Sequence, residues 1–425
     1  MTEYQKTGEK NWAGNVEYSS RRISAPTSQQ EIREAFVTGE QVKALGTRHS
    51  FSSIADTRGI HITTREFGQG VSIDPNRSTV TVDSGVRYGE LAHVLWEHGY
   101  ALHNLASLPH ISVVGACATG THGSGDRNGS LATSVQSFDI VTGSGELRTC
   151  SREHSPATFD GMVVHLGALG VVTSITLQIV PRFLVTQTVY EDLPVAELYS
   201  HFDAVTGSAY SVSLFTDWRA PVVNQVWRKQ KTESPYSVEP EREFYGARPA
   251  PGQVHPVAGV SAESCSVQQG IPGPWHERLP HFKLSHTPSV GEELQSEYFV
   301  RREHAVEAFR RLEKLRQHIS PLLMISEIRT VAADSLWLSP CHRGASVGFH
   351  FTWRREPHKV LAVLPIIEQA LRDLDPIPHW GKVFTLSGAE LETRYSRLQD
   401  FRALVREFDP HGRCTNDFLK RWVLG

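Results

Sequence analysis

Two tracts of small residues constrain this chain more than anything else in it. The first, Ala44-Leu45-Gly46-Thr47-Arg48-His49-Ser50-Phe51, follows an apolar stretch from Val42 to Leu45 that reads as a short buried strand. Gly46 lets the backbone turn tightly and leaves successive N–H groups free to face an anion. Inside that turn sits one imidazole, His49, between Arg48 and Ser50. A phosphate-cradling loop that also presents a histidine suggests a cofactor both cradled and covalently held. Alone, the loop reads equally well as a surface turn with His49 as a polar bystander. The second tract is Ser112-Val113-Val114-Gly115-Ala116-Cys117-Ala118-Thr119-Gly120-Thr121-His122-Gly123-Ser124-Gly125. Side chains this small let a backbone approach a flat ring system or a pyrophosphate. Its Val-Val, Ala-Cys-Ala and Thr-His inserts argue against a flexible linker. A third segment, Leu166-Gly167-Ala168-Leu169-Gly170-Val171-Val172-Thr173, reads as a glycine turn feeding a buried β-branched strand. The absence of a strand–GxGxxG–helix pattern argues against a Rossmann fold, and no GxxxxGK[ST] loop occurs.

A chain of 425 residues is too long for one hydrophobic core, and two domains are expected. The first part alternates short strands and helices. Ser28-x-x-Glu31 has capping-box spacing and opens a helix that ends at Gly39. Val71–Asp74 and Thr79–Val82 read as a hairpin around Pro75-Asn76-Arg77-Ser78. Tyr88 to His98 has helical spacing, and a second hairpin turns at Gly143-Ser144-Gly145. A helix near 157–165 precedes the Gly167/Gly170 turn, and the strand beyond runs to Pro181, the expected boundary. The middle part opens with a strand over Leu184–Tyr190, a helix near 195–202 and strands near 210–215 and 224–228. Residues 232–290 are rich in Pro, Gly, Ser and His and read as a long irregular loop covering a cavity. Glu303 to Ile319 has the spacing of an amphipathic helix.

Two strands follow. Over Leu322–Arg329, alternation puts Glu327 and Arg329 on one face and Met324 and Ile328 on the other. Over Ser346–Trp353, Val347, Phe349, Phe351 and Trp353 form an apolar face, and His350 and Thr352 point the opposite way. One antiparallel sheet is expected, its apolar face covered by helices 303–319 and 359–374. By pattern alone the polar face is better read as meeting solvent, as half-exposed sheets do, with Glu327 and Arg329 a surface ion pair worth little. A cofactor domain alongside gives it something to cover.

Preceded by Asn11-Trp12-Ala13-Gly14-Asn15, the three glycine-bearing segments resemble the vanillyl-alcohol-oxidase class of flavoproteins, and within it the alditol (xylitol) oxidases. The resemblance continues in His379-Trp380-Gly381-Lys382, a block shared with sugar-lactone oxidases, and in Asn416-Asp417-Phe418-Leu419, so it spans nearly the whole chain. Ser107-Leu108-Pro109-His110 and the 46–51 loop look more like the alditol oxidases specifically. The resemblance implies an α+β, two-domain, PCMH-type FAD-binding fold. Residues 1–182, completed by about 395–425, would bind FAD, and 183–394 would form a substrate-binding cap built on an antiparallel sheet. It implies FAD bound covalently through His49. The cofactor wall would include Leu45, Gly46, Thr47, Arg48, Ser50, Ser107, Ser112, Val113, Gly115, Ala116, Thr119, Gly120, Thr121, His122, Gly123, Gly170, Val171, Val172 and Lys382. His110 and Cys117 match family motifs without a catalytic role.

The implied reaction oxidises a C–H next to a hydroxyl while a base takes the hydroxyl proton, with oxygen as final acceptor giving hydrogen peroxide. Lys382 and His350 are the candidate catalytic residues, and sequence does not decide which is the base. Ser107, Glu327, Arg329 and Thr352 are the candidate substrate contacts. An arginine alone would suggest a carboxylate substrate, but Glu327 on the same face repels an anion and neutralises Arg329. The pair offers an acceptor and a forked donor, suited to adjacent hydroxyls of a neutral polyol. The expected substrate is the terminal primary alcohol of xylitol, sorbitol or a related alditol, oxidised to the aldose. The alternative is a sugar-1,4-lactone oxidase or dehydrogenase. A formal charge of −3 gives no reason to expect nucleic acid or an anionic membrane as partner. With no run of ~18 apolar residues and no secretory signal at Met1–Lys6, a cytoplasmic protein without membrane spans is expected, with a monomer as default. Five scattered cysteines and 21 histidines without HExxH spacing predict neither a disulfide framework nor a metal site.

Overall fold

The structure, a computed structural model, describes residues 7–286 and 293–425. The apolar strand Val42–Leu45 pairs in parallel with Ile60–Thr63, which pairs in turn with Arg22–Ser24. Helix Gln29–Val37 starts where Ser28 Oγ accepts the Glu31 N–H. The box is only half made, because the Glu31 carboxylate accepts from Thr27. Its buried face, Ile32, Ala35 and Phe36, packs with Val42, Ile60, Ile62, Val141 and Val171.

A five-stranded antiparallel sheet lies alongside, in the order 71–74, 79–83, 170–178, 135–142, 147–151, and both expected hairpins belong to it. Gly170 opens its central strand at φ +146°, and a Cβ there would lie 2.1 Å from the Val141 carbonyl oxygen. Only glycine allows the strand to begin so close to its partner. The chain returns to this half at its end. Asn416 Nδ2 donates to the carbonyls of Ile54 (3.0 Å) and Asp56 (2.7 Å), and its Oδ1 accepts from the Leu419 N–H (2.9 Å).

The second half is a nine-stranded antiparallel sheet. Its long strands run in the order 184–194, 222–232, 211–216, 323–331, 346–354, 293–301, with short strands at both ends. Val347, Phe349, Phe351 and Trp353 are at most 1% exposed beneath helices Ala305–Lys314 and Pro357–Leu371. Phe309 keys that layer, meeting Phe349 at 6.4 Å and Trp218 at 4.7 Å between ring centroids.

Several expectations need correction. The 303–319 helix breaks at Leu315 (φ −90°, ψ 7°) into Ala305–Lys314 and Arg316–Ile319. The helix near 157–165 shortens to Phe159–Val163. The strand Glu293–Arg301 was not anticipated. A bulge between Leu323 and Ile325 breaks strict alternation, so Met324 lines the same cavity as Ile325, Glu327 and Arg329. The stretch 232–286 is largely irregular and contributes His255, Pro256, Val257, Val260, His281 and Phe282 to the cavity wall; 287–290 lie outside the described residues. Among the described residues no helix is long and apolar enough to cross a membrane.

Candidate active site

One cavity of about 400 Å³, within the usual range of small-molecule sites, runs between the two halves. Its floor is the pair of small-residue tracts. They are joined by the Ser112 N–H, which donates to Thr47 Oγ1 at 3.3 Å. Ser112 Oγ lies between Gly46 and Gly115, where a Cβ would approach it to 2.8 and 2.7 Å, so both positions keep the floor open by lacking a side chain. Of the expected cofactor wall, Leu45 through Ser50, Ser107, Ser112, Gly115, Ala116, Thr119, Thr121, His122, Gly170, Val172 and Lys382 line the cavity. Val113, Gly120, Gly123 and Val171 do not reach it. Val113 turns into the main core, and Val171, one residue out of phase with Val172, packs behind the sheet. His110 also lies off the wall, its Nε2 hydrogen-bonded to the Leu284 carbonyl at 2.8 Å.

His49 has the properties of an attachment point. Trp12 stacks on its ring at 5.3 Å and 22°, which explains the Asn-Trp element near the start of the chain. Its Nδ1 is buried with no hydrogen-bond partner among the described residues. Burial pushes its pKa down to about 4, so the imidazole is neutral. Arg48 takes φ +64°, a left-handed value uncommon for a residue with a Cβ, and is held by an ion pair with Glu9. An orphaned imidazole nitrogen, a floor of glycines and small side chains, and the apolar walls of Ala106, Ile111, Val114 and Val172 fit a flavin dinucleotide.

The roof is the polar face of the large sheet. Strand register places Phe215, Glu327, His350 and Glu297 in one transverse row. Glu297, missed at the level of sequence, is the hub. It is 1% exposed, with Oε2 accepting from Lys382 Nζ at 2.6 Å and Oε1 from Arg329 Nη2 at 3.2 Å, and His122 Nε2 lies 3.2 Å away. Gly348, directly opposite Arg329, leaves the space its guanidinium crosses, since a Cβ there would sit 3.0 Å from Glu297 Oε1. Burial alone would raise the Glu297 pKa, but Lys382, His122 and Arg329 outweigh it and hold the carboxyl well below its ordinary range.

Glu327 and Arg329 are 5% and 6% exposed, so they are not a solvated surface pair. Arg329 Nη1 donates to Ser107 Oγ (3.2 Å), while its Nε, 3.4 Å from Glu327 Oε1, lacks a well-aligned acceptor among the described residues. Such a buried donor is one a ligand oxygen can satisfy. Lys382 Nζ also lies 2.7 Å from His350 Nδ1; where the lysine donates, the other nitrogen, Nε2, is the hydrogen bearer toward Thr352 Oγ1 at 3.0 Å. Burial, followed by Lys382, presses His350 well below its usual pKa, so it is neutral. Burial also lowers the pKa of Lys382, with Glu297 opposing.

The His379-Trp380-Gly381-Lys382 block earns its place mechanically. Its His379 N–H donates to the Glu297 carbonyl (3.0 Å), the Phe51 N–H donates to the Gly381 carbonyl (2.7 Å), and Trp380 stacks on Tyr395 (5.0 Å). It thereby fixes Lys382 against both the His49 loop and the Glu297 strand. Behind Glu327 lie two further groups not foreseen, His281 and the fully buried Lys229. Burial lowers His281 to about 4 and Lys229 to about 7.

Comparison with known proteins shows the family. The family described as FAD binding domain matches residues 21–151, and the family described as D-arabinono-1,4-lactone oxidase matches 290–422. The chain is 46% identical to an alditol oxidase from Streptomyces sp., covering 96% of this chain and 97% of that one. It is 25% identical to L-gulonolactone oxidase from Bos taurus, covering 97% of each. Among solved structures, a cholesterol oxidase variant from Brevibacterium sterolicum superposes with a TM-score of 0.77 over 98% of this chain and 96% of that one, at 15% identity, a likeness of fold alone.

Proposed function

Because the chain belongs to the alditol oxidase family of PCMH-type FAD-binding flavoproteins, we propose that it oxidises the terminal primary alcohol of xylitol, sorbitol or a related alditol to the aldose, reducing O2 to H2O2. The observation that carries the substrate reading is the buried Glu327–Arg329 pair. Together with Glu297 and Lys382 it leaves no surplus positive charge for a carboxylate ligand, yet offers an acceptor, a free guanidinium donor and the hydroxyls of Ser107 and Thr352. A site built to hydrogen-bond hydroxyls rejects ligands that leave its buried groups unpaired.

The 44–50 loop and the 112–122 tract would hold FAD, with His49 as its point of attachment, in the half formed by 1–182 and about 395–425. Bound there it supplies the two-electron acceptor for the alcohol. The chain's own groups supply the proton chemistry. Both nitrogens of His350 are engaged, so it orients and does not accept. Lys382, whose pKa burial lowers, is the proton acceptor in this reading: once deprotonated it has two hydrogens for Glu297 and His350 and a lone pair for the hydroxyl proton. The ammonium it becomes is met by Glu297 at 2.6 Å, a counter-charge already in place where positive charge develops.

Peroxide formation under air with xylitol, sorbitol and a sugar 1,4-lactone tests the reading. Faster turnover of the lactone, the substrate class of the family matched over 290–422, would overturn it. Reduction of a dye without peroxide would make the protein a dehydrogenase. Lys382→Met should keep the yellow colour but abolish anaerobic bleaching by polyol; bleaching at the native rate would remove Lys382 from the mechanism.

A further inference from the structure

Lys229 and His281 take no part in the chemistry described so far, and Lys229 is not on the cavity wall. Lys229 is buried to 0% exposure, and no carboxylate lies within ion-pair distance of it among the described residues. Its Nζ has three acceptors, the carbonyls of Leu279 (2.5 Å) and Pro280 (3.2 Å) and Nδ1 of His281 (3.0 Å). Three acceptors match the three hydrogens of an ammonium. If Nδ1 accepts from Lys229, the hydrogen of the neutral ring is on Nε2. That nitrogen lies 2.6 Å from Glu327 Oε1, with Ser213 Oγ farther off at 3.4 Å. The His281 main chain is anchored from the other half of the molecule, because its backbone N–H donates to the Ser107 carbonyl at 3.1 Å.

We infer that Lys229 and His281 form a relay that fixes Glu327 as an ionised, purely accepting carboxylate, and so act as positioning residues for polyol binding. The inference rests on the proposed reading that Glu327 receives a substrate hydroxyl. A carboxylate whose only role is to accept favours a ligand that places a free hydroxyl against it over one that places a ring or carbonyl oxygen there, since those oxygens have no hydrogen to give. Without Lys229 the ring is free to carry its hydrogen on Nδ1, turning a bare Nε2 toward the carboxylate.

Anaerobic stopped-flow reduction of the holoenzyme by xylitol separates binding from chemistry. In Lys229→Met the polyol dissociation constant should rise about tenfold or more, the scale of one lost charge-assisted hydrogen bond. The limiting reduction rate should change by less than about threefold. In His281→Gln an amide donor replaces Nε2–H without needing Lys229, so adding Lys229→Met to it should cause no further loss. Additive losses, or a loss in rate instead of binding, would overturn the relay. A second readout is independent of turnover. In ¹⁵N-histidine NMR, the resonance absent from His281→Gln should report a hydrogen on Nε2 in the native chain and lose it in Lys229→Met. A native His281 protonated on Nδ1 refutes the relay. If xylitol does not reduce the native protein, the substrate reading falls and the tautomer alone decides the relay.

Discussion

Replacing Glu297 by Gln keeps the shape of the hub and removes its charge. Lys382 Nζ lies 2.6 Å from Oε2, and the Glu297 side chain is fully buried. At an effective dielectric constant of about 20, two unit charges at that separation attract by roughly 6 kcal/mol. At about 1.4 kcal/mol per pH unit this is a ceiling of roughly four units on what Glu297 adds to the Lys382 pKa. The amide dipole and entering water recover part of it, so a shift of at least about one unit is expected. Its sign follows from two opposed causes. Burial lowers the Lys382 pKa and Glu297 raises it, so without the carboxylate the neutral amine persists to lower pH. The acid limb of the xylitol reduction profile, where Lys382 gains its proton, should therefore move down in pH. The plateau should also fall, because the ammonium formed as the hydroxyl proton is taken has lost its counter-ion. Removing one partner of a buried pair costs about 3–5 kcal/mol, so a fall of about 10²–10⁴-fold is expected. The assay is the pH dependence of anaerobic flavin bleaching by xylitol in the native and Glu297→Gln proteins. An acid limb that stays put or moves up would refute Lys382 as proton acceptor, and an unchanged plateau would refute Glu297 as its counter-ion.

Three further outcomes can be checked. His49→Ala should bind FAD that passes into the supernatant on acid precipitation, whereas the native chain should retain it in the pellet; equal release from both would remove the covalent link. Arg329→Ala leaves Glu297 and Glu327 without the cation between them and should lower kcat/KM for xylitol by about 10²-fold or more, since a buried pair is broken. Phe309→Ala empties the contact with Phe349 and Trp218 and should destabilise the chain by about 3–5 kcal/mol in denaturant titration. A loss under about 1 kcal/mol would show that this helix does not hold the sheet's apolar face.

The site was legible where its chemistry repeats at a local period. The alternation of Val347, Phe349, Phe351 and Trp353 against His350 and Thr352 survives into the structure because helices cover one face and the cavity the other. Met324 was misplaced because one bulged residue resets the period of two, and nothing in Leu322–Arg329 announces a bulge. The glycine tracts located the cavity floor but not its individual contacts. Whether Val171 or Val172 faces inward is a matter of strand phase, which composition does not carry.

Glu297 is the more instructive omission. Glu293, Gln295 and Glu297 alternate with Leu294, Tyr298 and Val300, so a strand signal was present. Ser296 in the apolar series and Phe299 in the polar one blurred it. Even a correct strand assignment would have left the hub invisible, because its partners lie 32 to 175 positions away by pairing that is not local: Arg329, Lys382 and His122. The strand 346–354 inserts between two strands that precede it in sequence, and only that order brings Glu297 and Glu327 to either side of His350. The useful sequence sign is therefore a carboxylate in mid-strand next to large apolar residues. Burying such a group without a cation is prohibitive, so Glu297 implies partners before any are identified. Here the cations that answer it are Lys382 and Arg329, the residues already suspected of meeting the substrate.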